Sequence, residues 1–360
     1  MLRTTFMAAG LAVHAMASLK DLASCDPLRK DMHCPPDPAF ASSTSFDFTK
    51  ASWDRGFEDF WDIDNDTVHD KRRLDFATDG KGVAMGMWQA GDAPTLTSRK
   101  YLLFGKVSVT VQAAKGPGLI TALVMKSDSG DEIDWELLGA YEKQAASNYF
   151  YDGKALFNTY NDTYHLDTSS YDAFHTYTVE WTDKILAFSI DGTTRKTWHV
   201  GDLPPGSWPQ TPMHVKVGVW SENKDSDRGE VMWAGGQPDW EQGPFKAYFK
   251  SIDIEDYTGW CNETDGNAEY QYDERTWGWQ NVRIQGCKKR EGPALIPPTG
   301  TAGSTQSGQP GRGSPSKTGD EAPPTGSVKA GDAGEDDGAI VLKLSSPLAA
   351  VVSLCWLLVL

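Results

Sequence analysis

From about Phe46 to Tyr257 the chain is a succession of short apolar-polar alternations separated by Gly, Pro, Asp and Asn. Gly105 to Ala113, Thr176 to Trp181, Leu186 to Asp191 and His214 to Trp220 are examples. Alternation places successive side chains on opposite faces of an extended backbone, so each run predicts a strand with one face against a core. Ile190-Asp191-Gly192-Thr193 carries an Asp-Gly pair, the signal of a tight hairpin turn in which both central residues adopt positive φ. No long stretch shows the period of an amphipathic helix. Many short strands with regular turn signals predict an all-β fold, an antiparallel β-sandwich. Trp181, next to Glu180 in one such run, fits either sheet.

The two ends break this pattern. Met1-Leu2-Arg3, an apolar stretch from Phe6 to Ala17 and the small residues Ala15-Met16-Ala17 read as a secretory signal peptide over residues 1–17. After Glu291 the composition turns to Pro, Gly, Ser and Thr, and residues 292–338 hold too little apolar surface to fold, which predicts a disordered stalk. Leu348 to Leu360 is apolar but shorter than the roughly 20 residues a membrane-spanning helix needs. Small residues around Asp332-Ala333-Gly334, a polar spacer and that tail make a glycosylphosphatidylinositol signal, with Asp332 as the attachment residue and 339–360 as the propeptide removed. The folded part is then a single domain over 18–291, tethered to the plasma membrane, with no internal repeat.

Secretion gives the cysteines a meaning. Cys355 belongs to the discarded tail, which leaves Cys25, Cys34, Cys261 and Cys287 as two disulfides in an oxidising compartment. Three connectivities are open; Cys25–Cys34 and Cys261–Cys287 need the least rearrangement and would pin the two ends of the domain. Asn65-Asp66-Thr67, Asn161-Asp162-Thr163 and Asn262-Glu263-Thr264 are glycosylation acceptors. A formal net charge of −16 argues against nucleic acid or anionic membrane surfaces as partners and favours neutral or cationic ligands such as polysaccharide. No cofactor or metal is called for.

The chemistry is concentrated in Asp131-Glu132-Ile133-Asp134-Trp135-Glu136. On a strand Glu132, Asp134 and Glu136 share one face, where they repel each other and raise one another's proton affinity. A solvated acidic face is the bland explanation. At about 3.3 Å per residue, Glu132 and Glu136 lie roughly 13 Å apart at Cα, which side chains leaning together close to around 5 Å. That matches the carboxyl separation of about 5–5.5 Å in a retaining glycosidase, where one carboxylate attacks the anomeric carbon and a protonated one donates to the leaving oxygen. Asp134 between them would hold the nucleophile and tune the acid. Spacing alone does not assign the two Glu roles. The same alternation sends Trp135 away from the carboxylates and into the core.

This run resembles the active-site signature of glycoside hydrolase family 16, in its form without an extra residue between Asp and the second Glu. With Leu137-Leu138-Gly139 after it, it is similar more narrowly to the fungal Crh cell-wall transglycosylases. Ala93-Pro94-Thr95-Leu96-Thr97-Ser98, Phe104-Gly105-Lys106-Val107, Ser147-Asn148-Tyr149-Phe150 and Trp233-Ala234-Gly235-Gly236 agree with that match, which covers roughly Cys25 to Cys287. The resemblance implies a concanavalin-like jelly roll with a substrate cleft on its concave sheet. It also implies Glu132 as nucleophile, Asp134 as assisting residue and Glu136 as general acid and base. The implied reaction cleaves chitin and transfers it to β-glucan or chitin acceptors. The stretch Ser221 to Met232 departs by being long and highly charged.

Fourteen tryptophans supply flat surfaces on which sugar faces stack. Trp88, Tyr149, Trp220 and Trp233 are the candidates in family-like segments or at strand ends, with Arg99 and Asn148 for hydroxyl contacts. The leading expectation is therefore a monomeric retaining transglycosylase of chitin and β-glucan. A mainly hydrolytic β-glucanase or chitinase, or a non-catalytic wall-binding lectin, are the alternatives.

Overall fold

The computed structural model describes residues 25–29, 33–63, 67–154, 156, 159–272 and 278–290. Asn65, Asp332, the segment 1–17, the stalk 292–338 and the tail 339–360 lie outside the described residues.

In chain order the strands are β1 (Asp37–Pro38), β2 (Ser43–Asp47), β3 (Trp61–Ile63), β4 (Leu74–Asp75), β5 (Val83–Met87) and β6 (Thr95–Leu102). Then come β7 (Gly105–Gln112), β8 (Leu119–Ser127), β9 (Glu132–Leu138), β10 (Gln144–Phe150), β11 (Asp162–His165) and β12 (His175–Trp181). The last are β13 (Ile185–Ile190), β14 (Thr193–His199), β15 (Met213–Ser221), β16 (Phe245–Asp256), β17 (Cys261–Gln271) and β18 (Arg283–Arg290). They pair antiparallel into one sheet ordered β11-β10-β9-β8-β15-β6-β3, a second ordered β14-β13-β12-β7-β16-β5-β4 with β2 beside β16, and a small sheet β1-β17-β18. This is an antiparallel β-sandwich of the jelly-roll kind. Helices among the described residues are short, such as Arg55–Phe60 and Arg228–Trp233.

The core lies between the two large sheets, where Val107, Val109 and Val111 of β7 and Ile252 and Ile254 of β16 meet Ile133, Trp135 and Leu137 of β9 and Val215, Val217 and Val219 of β15. Period-two alternation puts each of these sets on one face, and each large side chain buried contributes about 1.5–3 kcal/mol. Trp135 is buried among Tyr164, Tyr177 and Phe188 at ring distances of 5.4–5.6 Å, and its Nε1 donates to the Thr178 carbonyl at 3.1 Å. Trp181 lies on β12, in the sheet opposite β9, and its Nε1 donates to the Pro209 carbonyl at 3.0 Å. Asp191 and Gly192, with φ of 50° and 76°, turn β13 into β14.

Two features hold β9 in place. At its start the buried Asp131 accepts from the backbone N–H of Gln210 and Thr211, from the Thr211 hydroxyl and from the N–H of Asp152, at 2.6–3.0 Å. At its end a Cβ on Gly139 would sit 2.4 Å from the Gly116 carbonyl oxygen, so only glycine permits the backbones to approach there. Disulfides join Cys25 to Cys34 and Cys261 to Cys287, with Cα separations of 5.4 and 5.9 Å. The second ties β17 to β18, so both bridges are local ones at the ends of the domain.

Candidate active site

Strand register decides which side chains meet on the outer face of the seven-stranded sheet. On β9, Glu132 lies opposite Lys126 of β8 and Phe150 of β10; Asp134 lies opposite Val124 and Asn148; Glu136 lies opposite Ala122 and Ala146. The three carboxylates are therefore in a row on one face, and all are buried. Beyond Glu136 the same face turns apolar, with Leu138, Ile120, Ala122, Val124 and Trp220 in a cluster against which Trp233 and Ala93 pack. A pocket of about 300 Å³ opens beside Glu136, lined by Leu138, Tyr141, Gln144, Ala146, Thr163 and Trp233.

Burial sets the electrostatics. It pushes the Glu136 carboxyl up to about 8, helped by the neighbouring charges of Glu132 and then Glu222. Burial also raises Asp134 well above the ordinary carboxyl range, with the charges of Glu132 and Glu136 adding to it and Lys126 opposing. A side-chain hydrogen bond with Glu132 adds the smallest part of that rise. Glu132 is ion-paired with Lys126, whose Nζ donates to its Oε2. The row thus divides its labour: burial favours the protonated form of Glu136 and Asp134, while Glu132 is paired with a cation. A proton donor and a nucleophile on one face are what double displacement at an anomeric carbon requires.

The sugar-contact candidates separate on inspection. Asn148 is on the carboxylate face, directly across from Asp134, and its Oδ1 accepts from the Tyr149 N–H at 2.9 Å. Trp220 and Trp233 stack with ring centres 6.2 Å apart and planes 22° apart, next to the Glu136 pocket. Trp88 is 44% exposed, with Nε1 donating to the Arg72 carbonyl at 3.0 Å, in the segment leading to Ala93. Arg99 belongs to β6, three strands from β9 and so roughly 14 Å across the sheet. It donates to the Glu58 carbonyl at 3.0 Å and lies 3.5 Å from Asp62. Tyr149 is a correction: it faces the core opposite Ile133, has no exposed surface, and stacks on Tyr160 at 4.3 Å. One-residue alternation from Asn148 forces that placement, so Tyr149 packs the sandwich and contacts no sugar. Asn161 and Asn262 are exposed, the latter within β17 rather than in a loop.

Sequence reasoning missed Lys126 and Glu222. Glu222 follows β15, is 1% exposed, and has one carboxylate oxygen without a hydrogen-bond partner. Burial raises its proton affinity, against a hydrogen bond from Ser226. It belongs to the charged stretch Ser221 to Met232, whose helix ends at Trp233. The turn that follows abuts the end of β9: a Cβ on Gly235 would lie 2.3 Å from the Cβ of Ala140. That contact fixes Trp233 over the pocket. Among the described residues no group of three or more His, Cys, Asp or Glu side chains is arranged to hold a metal ion.

Comparison with known proteins bears on this geometry. The model of the family described as glycosyl hydrolases family 16 matches residues 60–235. Crh-like protein 4 of Botryotinia fuckeliana is 33% identical over 283 residues, which is 78% of this chain and 69% of that protein. Crh-like protein 4 of Aspergillus fumigatus is 34% identical over 278 residues, 77% of this chain and 56% of that protein. A solved structure described as Crh5 transglycosylase in complex with NAG superposes with a TM-score of 0.63 at 32% identity, over 72% of this chain and 100% of the other. The chain spans between 54% and 66% of the length of three of the Crh-like relatives.

Proposed function

The chain belongs to glycosyl hydrolases family 16, and on that premise we propose that it is a retaining transglycosylase of the extracellular polysaccharide matrix. The observation that carries the reading is the row Glu132, Asp134, Glu136, in which a carboxyl holding its proton shares a strand face with an ion-paired carboxylate. In the first half-reaction a Glu132 oxygen forms an ester bond to the anomeric carbon as the glycosidic C–O bond breaks. The Glu136 proton passes to the departing oxygen. In the second half-reaction Glu136, now the base, takes the proton of an incoming hydroxyl, which displaces Glu132 and restores the starting state.

Whether that hydroxyl comes from sugar or water depends on acceptor binding and on water exclusion. The stacked Trp220 and Trp233 and the pocket beside Glu136 favour a sugar. Chitin is the donor in this reading, in keeping with the NAG bound to the related Crh5 structure, and β-glucan or chitin is the acceptor. Such transfer cross-links a fungal cell wall. Asn148, Trp88, Trp220 and Trp233 supply sugar contacts, Arg99 a peripheral one. The domain 18–291 acts as a monomer after removal of residues 1–17, glycosylated at Asn65, Asn161 and Asn262. The stalk from residue 292 onward and a glycosylphosphatidylinositol anchor at Asp332 hold it at the plasma membrane or in the wall.

The test is incubation of the secreted protein with chitin oligosaccharides and a fluorescent glucan oligosaccharide. Labelled products larger than the acceptor, lost in Glu132→Gln, support transfer. Donor shortening without label transfer would make the protein a hydrolase, and no change in either sugar would leave a wall-binding lectin.

A further inference from the structure

We infer that Lys126 is a positioning residue for the nucleophile: its ammonium holds Glu132 in the ionised, attack-ready form and stabilises the same carboxylate when it departs from the glycosyl ester. This rests on the transglycosylase reading of the site. The geometry is independent of it. Lys126 and Glu132 are directly opposed in the β8–β9 register, where side chains on one face come within about 5 Å at Cβ. The ammonium contacts the Oε2 of Glu132, and the side chains of the pair are 20% and 9% exposed.

The charge arithmetic of the row gives Lys126 its purpose. Three buried carboxyls on one face cannot all ionise, and Asp134 and Glu136 keep their protons. Glu132 then carries the row's one negative charge, and Lys126 cancels it. Without Lys126 the cheapest way to neutralise the face is to protonate Glu132 as well, and a protonated carboxyl does not attack. Among the described residues no other cation lies directly opposite Glu132 in the strand register. Facing Glu132 from β9 are Asp134 and Glu136, and from β10 Asn148 and Phe150. On β15, His214 lies opposite Lys126, but burial pushes its imidazole down to about 4, so it stays neutral. Lys216 of β15 lies opposite Val124, and its charge acts on Asp128.

The same ammonium serves the second half-reaction. While the ester exists, Glu132 is uncharged and the row's negative charge sits on Glu136, which has given up its proton, so Lys126 has lost the carboxylate directly opposite it. When the acceptor hydroxyl attacks the anomeric carbon, the electron pair of the breaking C–O bond returns to Glu132 beside a waiting cation, and the acceptor's proton goes to Glu136. Charge is conserved at each step, and no further reactant is needed.

The test uses the full-length chain secreted from a yeast host, as wild type, Lys126→Met and Lys126→Arg. An activated 2-deoxy-2-fluoro chitobioside traps the ester on Glu132, and the rate of trapping is followed by mass spectrometry from pH 4 to pH 8. Lys126→Met is expected to trap on the order of ten-fold slower at pH 5, to recover as pH rises, and to release the trapped sugar more slowly to an acceptor. Lys126→Arg keeps the charge and restores most of the rate and the wild-type pH profile. Should Lys126→Met fail to fold, Lys126→Gln carries the same comparison. A neutral variant that traps and releases with the wild-type pH profile overturns the inference while leaving the transglycosylase reading in place. A wild type that neither traps nor transfers removes that reading, and the role of Lys126 with it.

Discussion

Along β9 the odd residues Ile133, Trp135 and Leu137 and the even residues Glu132, Asp134 and Glu136 share one backbone and are all buried, yet they obey opposite rules. The odd face meets a close-packed core in which Trp135 has three aromatic neighbours and a partner for its N–H. The even face crowds carboxyls together, and one oxygen of Asp134 has no partner at all. Burying charge without full compensation costs stability, so the even face is tolerated because the odd face and the Asp131 network hold the strand from outside the row. The lesson is that stability and chemistry are assigned here by the parity of a residue number. Substitutions on each face should therefore fail in different assays.

The largest effect is expected from Glu132→Gln. Turnover should fall by about 10⁴-fold or more, as when a covalent nucleophile is removed, while binding of chitin oligosaccharides measured by calorimetry persists. Activity equal to wild type would dismantle the assignment of the even face to chemistry. Glu136→Gln follows, with a loss of about 10²–10⁴-fold on natural glycans. Activated aryl glycosides, whose leaving groups need no proton, should keep much more of their rate. An equal loss on both substrates would deny Glu136 the acid role. On the odd face Trp135→Ala should instead cost about 3–5 kcal/mol in denaturant unfolding, with the protein that remains folded still active. If its stability were unchanged, the core side of the comparison would collapse.

The parity was readable from the sequence before any partner was known, because period-two alternation sorts a strand's residues whatever lies beside it. That is why the strand runs, the Asp191-Gly192 turn, the carboxylate row and the inward course of Trp135 were legible. Anything that depends on register between strands was not. Lys126 sits six residues before Glu132, in a polar stretch that reads as a strand end, and only the β8–β9 hairpin brings the two together. Glu222 looked like one charge among many in Ser221 to Met232, and its burial against Gly118 comes from tertiary packing. Asn148 and Tyr149 are adjacent on one strand, so alternation allows only one of them to face the carboxylates, and only the pairing of β10 with β9 shows that it is Asn148. The pairing of β1 with β17 into a third sheet had no local signal either.

Acid pH offers a gentler probe of the same contrast. Burial lifts Asp37 and Glu136 to about 8, Asp256 to about 7 and Asp128 to about 6. Each of these carboxyls binds its proton more tightly folded than unfolded, where such groups titrate near 4. The native state therefore holds more protons between those values, and stability falls as pH rises from about 4 to about 8. Thermal unfolding should be highest near pH 4–5 and lower by roughly 5 °C or more at pH 8. A midpoint that rises over this range would show that these buried carboxyls do not hold their protons.

The smallest effects, and the sharpest version of the comparison, come from two neighbours on β10. Asn148 faces out beside Asp134, and Tyr149 faces in, its hydroxyl donating to the Ser207 carbonyl at 3.4 Å. Asn148→Ala removes an amide from the sugar face and leaves the core untouched, so KM for chitin oligosaccharides should rise several-fold, worth about 1 kcal/mol of binding, at an unchanged unfolding midpoint. Tyr149→Phe keeps the ring on Tyr160 and deletes the hydroxyl's hydrogen bonds to the Ser207 carbonyl and to Tyr160, so it should cost about 0.5–1.5 kcal/mol of stability and leave KM alone. A KM change in Tyr149→Phe without a stability change would return that residue to the sugar surface. It would also mean that β10 is paired one residue out of register, which would carry every outward side chain of the strand to the other face.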